Sequence, residues 1–563
     1  MGGNAGGGGL GGYVGGPFIL QGTVVTPDQA FEGQVLIDGD TILCAAEGTT
    51  CQDMDATAVL FDTGGIIAPG LIDTHNHIMF DIFDETDWAP NLPTCSVPAD
   101  CNVSSYCSND CDCMGGQCRY MDHDQWPDED EYGLMLDYKQ CLEDASQGKP
   151  VWCPLQYDGD GKLKCEMNKW GELKGLVAGT TSIVGLPGTS AKCFGSLSRS
   201  IDVSHNDLGD DNVQTSALFP PSGSSADGVC ANFTDGDTEA YLIHVGEGVN
   251  QNALDEFATL FSMTSSDGCL YAPQTAITHG TSFGTSEFAQ MAAAGMKLTW
   301  SPASNVSLYG ATADIPAALA EGLTISLAPD WSMGGSQNIL DELAFAKSWS
   351  ESHGWGLTDQ QLIEMVTTNA AAVLALAGTI GRLEAGYLAD IVVIEGDSSD
   401  PYGAIVSATP AEVSLVMIGG VSLYGDHAYD VLVPADLIPC SSLDICGSEK
   451  FLCAAEASTE DKLDQSYETV RDALEAGLTD LDSIPTLASA ACDDACAVDE
   501  SCFLRTVHPQ VAESNCPAPC GTGEACYQTA LSGSSQYNCL SVNVCYPAKT
   551  HNMAPLTPLV RCN

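Results

Sequence analysis

Six residues scattered along this chain make chemical sense only if the fold gathers them. They are His75 and His77 in APGLIDTHNHIMF, His244 and Glu247 in AYLIHVGEG, His279 in TAITHG, and Asp330 in TISLAPDWS. Each follows a short run of apolar or β-branched residues, the signature of a buried strand, so each is expected at the C-terminal end of a strand. In a (β/α)8 TIM-like barrel that rim is where active sites are built. Side chains alternate along a strand, so an x-His-x-His pair sends both imidazoles to one side. A further imidazole and a carboxylate from other strands complete a nitrogen-rich site for a divalent metal, with one position open to water. The pattern points to a metal-dependent hydrolase.

The segments around these residues extend the pattern. IIAPGLIDTHNH, HVGE, SPASNVSLYG, LAPDWS, MVTTNAAAVLAL and GRLEAGYLADIVVI occur in that order. Together they resemble the amidohydrolase superfamily over residues 17–83 and 168–425: its first barrel strand, its His-x-x-Glu signature, its Ser-Asn loop, its final aspartate, and its closing helix and return to a small β-sandwich. The resemblance implies that His75, His77, His244 and Asp330 hold one divalent metal, zinc with iron as the alternative, since imidazole and carboxylate suit both. It implies that Glu247 carries a proton from water to the leaving nitrogen, and that Asp330 also orients the water. His279 then polarises the substrate or contacts the water, or in binuclear relatives ligates a second metal. Many binuclear members bridge two metals through a carboxylated lysine on the fourth strand. No lysine lies between Lys192 and Lys297, so a mononuclear site is expected.

Residues 1–16 read as a flexible glycine-rich tether, residues 17–68 and 385–435 as the two halves of a flanking β-sandwich, and residues 69–384 as the barrel. Two segments fall outside the family pattern. Residues 84–167 hold nine cysteines, Cys95 to Cys165, in an Asp-rich stretch, and residues 436–563 hold twelve more, Cys440 to Cys562. The insertion leaves from the catalytic face, so it is either a cap over the substrate or an inert decoration. The tail reads as a stabilising or docking module with one amphipathic helix over STEDKLDQSYETVRDALEAGLTDL. With 26 Cys in the chain and no paired C-x-x-C ribbons, a disulfide framework outranks structural zinc, and Cys44 and Cys51 are placed to close a hairpin.

The formal net charge of −58 argues against nucleic acid and anionic membranes as partners and suits a surface kept soluble in salt, where charges beyond about 10 Å are screened. Disulfides and acidity together suggest an extracytoplasmic bacterial protein, secreted or on the cell surface, from a marine or salt-tolerant setting. The leader MGGNAGGGGLGGYVGG lacks a basic and an apolar region and resembles that of a mature lipoprotein, with Met1 in the place of a lipidated cysteine. No run of about 20 apolar residues suggests a transmembrane helix.

Trp300, Ser304, Asn305, Tyr309, Trp331 and Met333 lie beside the ligand-bearing segments and are candidate pocket walls, expected in loops. His123, His205, His353 and His427 read as isolated structural histidines. The closest resemblance is to the branch of nucleobase and triazine deaminases, chlorohydrolases and imidazolone hydrolases. It implies hydrolysis of a non-peptide carbon–nitrogen bond in a small cyclic amide or amidine. An exported amidase or dipeptidase-like hydrolase is the alternative within enzymes. A non-catalytic cell-surface binding protein on a barrel scaffold is the alternative outside them, although a binder has no need of Glu247.

Overall fold

Apart from two small hairpins, Asp112–Met114 with Gln117–Arg119 and Glu524–Gln528 with Tyr537–Ser541, hydrogen bonding divides the described strands into two groups, one mainly antiparallel and one parallel. The computed structural model describes residues 15–562 except 89–92, 102–110, 146–147, 151, 186–196, 203–207, 209–212, 217–218, 221, 434–439, 456–461, 463, 485, 487–509, 531–535 and 542–548. Most of the glycine tether, Cys107, Cys492, Cys496, Cys502, Cys545, His205 and His508 therefore lie outside the described residues.

The first group is one sheet of nine strands, in the order Ser441–Ile445, Ser448–Leu452, Val421–Asp426, Val413–Ile418, Ile391–Ile394, Val59–Pro69, Phe18–Val25, Ala30–Asp38 and Thr41–Glu47. Its strands come from both ends of the sequence. A continuous sheet can enclose its own apolar face if it curls, and register shifts at Leu36/Ile37, Gln21/Thr23, Val393/Ile394 and Val416/Met417 supply local bends. The edge strand thereby reaches the segment before Ile391: the Ile42 amide donates to the Tyr387 carbonyl and the Gly386 amide to the Ile42 carbonyl. The hairpin Ser441–Leu452, expected in the C-terminal extension, instead joins this sheet through pairs such as Tyr424↔Leu452 and Gly425↔Phe451.

The second group is eight short strands that pair in parallel, with helices described between β1 and β2 and between each successive pair from β4 to β8. They are β1 (Leu71–Asp73), β2 (Thr180–Ile183), β3 (Arg199–Ser200), β4 (Val213–Ser216), β5 (Ala240–Val245), β6 (Thr275–His279), β7 (Lys297–Trp300) and β8 (Ile325–Leu327). Strands β1–β2–β3 form one parallel sheet and β4 to β8 another, as expected of strands buried on both faces. A parallel bridge Asn76↔Asp330 just beyond β1 and β8 joins the two. Among the described residues no pairing links β3 to β4, so the sheets meet at one seam. Four helices matter for the site: α1 (Asp130–Glu143), α2 (Lys164–Leu176), α3 (Gln251–Ser262) and α4 (Pro302–Tyr309).

Nine disulfides join described cysteines. They pair Cys44–Cys51, Cys95–Cys113, Cys101–Cys118, Cys141–Cys153, Cys230–Cys269, Cys440–Cys453, Cys446–Cys562, Cys516–Cys526 and Cys520–Cys539. The helix of the C-terminal region spans Tyr467–Ser483, starting later than its composition suggests, because Ser466 takes the N-cap and its hydroxyl accepts the Thr469 amide. The final segment folds back on the chain leaving β1. The Ala554 amide donates to Asp87, Thr557 to Ile82 and Asp84, and Arg561 pairs with Asp84 and Glu85. No helix among the described residues is long and apolar enough to cross a membrane.

Arg199 of β3 and Asp390, next to the sheet strand Ile391–Ile394, tie the two strand groups together. Nε and Nη2 of Arg199 donate to the two Asp390 oxygens at 2.9 and 3.0 Å, and the Gly419 amide adds a third bond at 2.7 Å. Both side chains are buried. Asp390→Ala removes the carboxylate that accepts from two nitrogens of a buried guanidinium. A loss of about 3–5 kcal/mol is expected in urea unfolding, and a loss below about 1 kcal/mol would show that the pair does not hold the layers together.

Candidate active site

The seam between β1 and β8 brings the first ligand candidates together. Beyond β1 the chain runs His75, Asn76, His77. The His77 amide donates to the Asp330 carbonyl at 2.7 Å, and the Asp330 amide to the His75 carbonyl at 3.1 Å. His75 is steadied from below, where Asp73 accepts its amide at 3.0 Å and the Asn76 side chain at 2.9 Å. The imidazoles of His75 and His77 stand 5.0 Å apart, with Nε2 atoms 2.9 and 3.4 Å from Asp330 Oδ1. His244 lies within β5 and His279 ends β6, their rings 4.6 and 5.4 Å from that of His75. Asp330 and His279 have left-handed φ values of 72° and 76°, costly for residues with a Cβ and characteristic of functional positions.

The donor set fits a metal. Ligand atoms of His75, His77 and Asp330 lie within 4.8 Å of one another, as do those of His75, His244 and His279. His75 Nε2 is buried without a hydrogen bond, although Asp330 Oδ1 lies 2.9 Å away. His244 Nδ1 faces the Ser216 carbonyl of β4 at 3.2 Å, so the proton sits on Nδ1 and Nε2 keeps its lone pair free. Burial lowers the pKa of His75, His77 and His244 to about 3, so all three rings are neutral, as ligation requires. Burial also raises the Asp330 pKa, against the pull of His77, Ser304 and His244.

Sequence proximity identified the right neighbourhood for the pocket candidates but not their roles. Ser304, Asn305 and Tyr309 lie on α4 rather than in a loop, and each bonds a residue of the central cluster. Ser304 donates to Asp330 Oδ2. Tyr309 donates to Glu247 Oε1 at 2.7 Å. The Asn305 amide faces His279 Nδ1 at 2.9 Å. Trp300 is buried behind them. Its Nε1 donates to Thr312 Oγ1 at 2.7 Å, Thr312 donates to Asn305 Oδ1 at 3.2 Å, and the Asn305 NH2 is left to face His279. This chain of bonds fixes the tautomer: Nδ1 of His279 accepts and Nε2 carries the hydrogen, 3.7 Å from Glu247 Oε2. Met333 is buried beside Ser332, whose hydroxyl contacts its sulfur at 3.7 Å.

Trp331 does form a wall, with partners that the sequence did not single out. Its ring lies 5.8 Å from His77, 6.3 Å from Phe80, and 5.6, 5.1 and 6.3 Å from Trp88, Trp126 and Tyr132 of the insertion. The insertion therefore packs against the site. His123, read from sequence as structural, is part of the same region, its Nδ1 3.9 Å from Glu247 Oε2. The only sequence signal was its place in an insertion that leaves from the catalytic face. By contrast, His353 stacks on Trp349 and His427 pairs with Asp430.

The sequence model of the amidohydrolase family matches residues 237–423, which include His244, Glu247, His279 and Asp330. Over that stretch the chain resembles the amidohydrolase family. The chain is 32% identical over 132 residues to a 5-methylthioadenosine/S-adenosylhomocysteine deaminase of Syntrophomonas wolfei, covering 21% of the chain and 30% of that protein, so it spans less than a third of that relative. It is 24% identical to a 5'-deoxyadenosine deaminase of Methanothermobacter thermautotrophicus, over 71% of the chain and 91% of that protein. Among solved structures it overlays the atrazine chlorohydrolase of Arthrobacter aurescens complexed with zinc, with a TM-score of 0.51 at 16% identity, over 74% of the chain and 96% of the neighbour. The structural likeness speaks for the fold alone.

Ser304→Ala removes the donor that orients Asp330. A zinc affinity about 10–100-fold weaker is expected in competition with a chromophoric chelator; an unchanged affinity would mean that α4 does not support a metal site.

Proposed function

We propose that this protein is a metal-dependent hydrolase that cleaves a non-peptide carbon–nitrogen bond in a planar cyclic amide or amidine. The observation that carries the reading is Glu247, buried beside the imidazole cluster, bonded by Tyr309 and facing His279 Nε2. His75, His77, His244 and Asp330 are the residues that would hold one divalent metal, zinc or iron, which when bound supplies a Lewis acid and lowers the pKa of a water to about 7. The eight parallel strands suit a closed (β/α)8 barrel, with these residues at its C-terminal rim. The relatives named as deaminases and a triazine hydrolase support a substrate of this class.

The residues divide the work. Glu247 takes a proton from the attacking water and returns it to the leaving nitrogen, while Tyr309 holds one of its oxygens in place. Neutral His279, its proton fixed on Nε2, donates to a substrate oxygen or nitrogen on which charge develops. The indole Nε1 of Trp331 is buried without a partner beside His77, a second donor for a heteroatom of a planar ring. The aromatic surfaces of Phe80, Trp88, Trp126, Tyr132 and Trp331 suit a flat substrate. The disulfides and the acidic composition support an extracytoplasmic setting.

The test uses zinc-loaded protein and a panel of 5-methylthioadenosine, guanine, atrazine and a linear amide, following ammonia or chloride release. Glu247→Gln is expected to keep about one zinc per chain and to lose about 10²–10⁴-fold in kcat. Full turnover in that variant would remove Glu247 from the mechanism, and about two metals per chain with turnover of only the linear amide would favour the amidase alternative.

Burial raises the Glu247 pKa to about 7, against the lowering effects of His123 and Tyr309, with Asp330 and Glu256 adding to the rise. Glu247 must be a carboxylate to accept a proton, so kcat is expected to rise as pH increases through its pKa. A bound cation stabilises the carboxylate and moves this limb down, placing it at or below about pH 7. An activity that instead falls across that limb would contradict the base role.

A further inference from the structure

We propose that His123, supplied by the cysteine-rich insertion, is a positioning residue that clamps Glu247 through paired contacts with Glu247 and Glu256. The proposal rests on Glu247 as the proton carrier and gives the insertion a part in the chemistry beyond covering the site.

The geometry is specific. Nε2 of His123 lies 2.7 Å from Glu256 Oε1 on α3, and Nδ1 lies 3.9 Å from Glu247 Oε2. The other Glu256 oxygen accepts the Gly246 amide at 2.7 Å, so Glu256 holds the backbone leading to Glu247 while His123 flanks its carboxylate. The backbones lock as well: the His123 amide donates to the Glu247 carbonyl at 3.2 Å and the Val249 amide to the Met121 carbonyl at 2.7 Å. Asn250 caps α3 by accepting the Ala253 amide and donates to Asp122, fastening the same segment.

The approach requires a glycine. Gly248 has φ +149°, and a Cβ there would stand 2.5 Å from the Met121 carbonyl oxygen and 2.7 Å from Asp122 Cα. The sequence HVGEG thus carries, next to Glu247, the one residue type that lets the insertion dock this closely. A second link runs in parallel, with Trp126 Nε1 donating at 3.0 Å to the Tyr309 hydroxyl that in turn donates to Glu247. Both oxygens of Glu247 are therefore addressed from the insertion, one through Tyr309 and one by His123.

Charge supports the arrangement. Burial opposes a charge on His123, but its hydrogen bond to Glu256 and the carboxylates of Glu247, Glu256 and Asp124 outweigh this and raise its pKa to about 9. His123 then stands as a cation between two acids, favouring the carboxylate form of Glu247 against the effect of burial.

The experiment compares zinc-loaded wild-type protein with His123→Leu and His123→Gln, using whichever panel substrate wild type turns over. Thermal unfolding confirms that each variant is folded. The Leu variant is expected to lose about 10-fold or more in kcat with KM within twofold, and to shift the acid limb of the kcat profile to higher pH, because loss of the cation raises the Glu247 pKa. Gln, which retains a donor toward Glu256, recovers part of kcat. An unchanged kcat and acid limb in folded His123→Leu overturns the proposal. Independently of any substrate, the Cε1 proton resonance of His123 in zinc-loaded wild type is expected to titrate above pH 8, and lower in Glu247→Gln; titration near pH 6.5 overturns it. The parent reading fails separately, if Glu247→Gln retains full turnover.

Discussion

The pairing of the segment beyond β1 with the turn beyond β8 is the constraint on which the site depends. Two backbone hydrogen bonds hold Asp330 opposite His75 and His77, so the separation of imidazole and carboxylate is set by main chain rather than by flexible side chains. Asp330 reaches its position in a left-handed conformation, a cost of about 1–3 kcal/mol that surrounding structure must offset. Ser304 from α4 and the Asn76↔Asp330 bridge supply part of that support. A site built this way needs little reorganisation to receive a cation.

Around that seam the protein buries an unusual number of groups that prefer water. Neutral imidazoles at His75 and His244, the half-buried ring of His77, the carboxylates of Asp330 and Glu247, and the Tyr309 hydroxyl all lie within one small region. His244, Asp330, Glu247 and Tyr309 each have a hydrogen-bond partner, whereas His75 Nε2 makes no hydrogen bond although Asp330 Oδ1 lies 2.9 Å away. Buried polar networks are costly when half satisfied. A nitrogen without a hydrogen bond in an otherwise ordered network is a donor available to a cation.

The two cysteine-rich segments act on this region rather than apart from it. Disulfides shape the insertion where an apolar core of its own would be small, and its aromatic residues pack on Trp331. The final segment, joined by Cys446–Cys562, fastens the chain at Asp84 and Asp87 that leads to Trp88. An acidic protein with 18 Lys and Arg spends several of them internally, at Arg199, Lys174 and Lys549, where each meets a specific oxygen. Covalent links and a few buried cations thus stand in for the surface ion pairs that its composition cannot supply.

What the sequence determined by itself was local. An apolar run ending in His or Asp announces both a buried strand and a ligand at its tip, because strand patterning and side-chain chemistry reside in the same few residues. His75, His77, His244, Glu247, His279 and Asp330 were legible for that reason, as was the Cys44–Cys51 bridge across a short hairpin. The helical setting of Ser304, Asn305 and Tyr309 was not, since a Pro302 start and a short apolar stretch do not distinguish a helix from a loop. Only tertiary structure decided that Trp126 meets Tyr309, that the hairpin Ser441–Leu452 extends the sheet, and that His123 stands against Glu247 rather than alone. The first and last of these are contacts between segments far apart in the chain, set by where a disulfide-tied insertion can pack, and neither residue of such a pair carries a sign of the other.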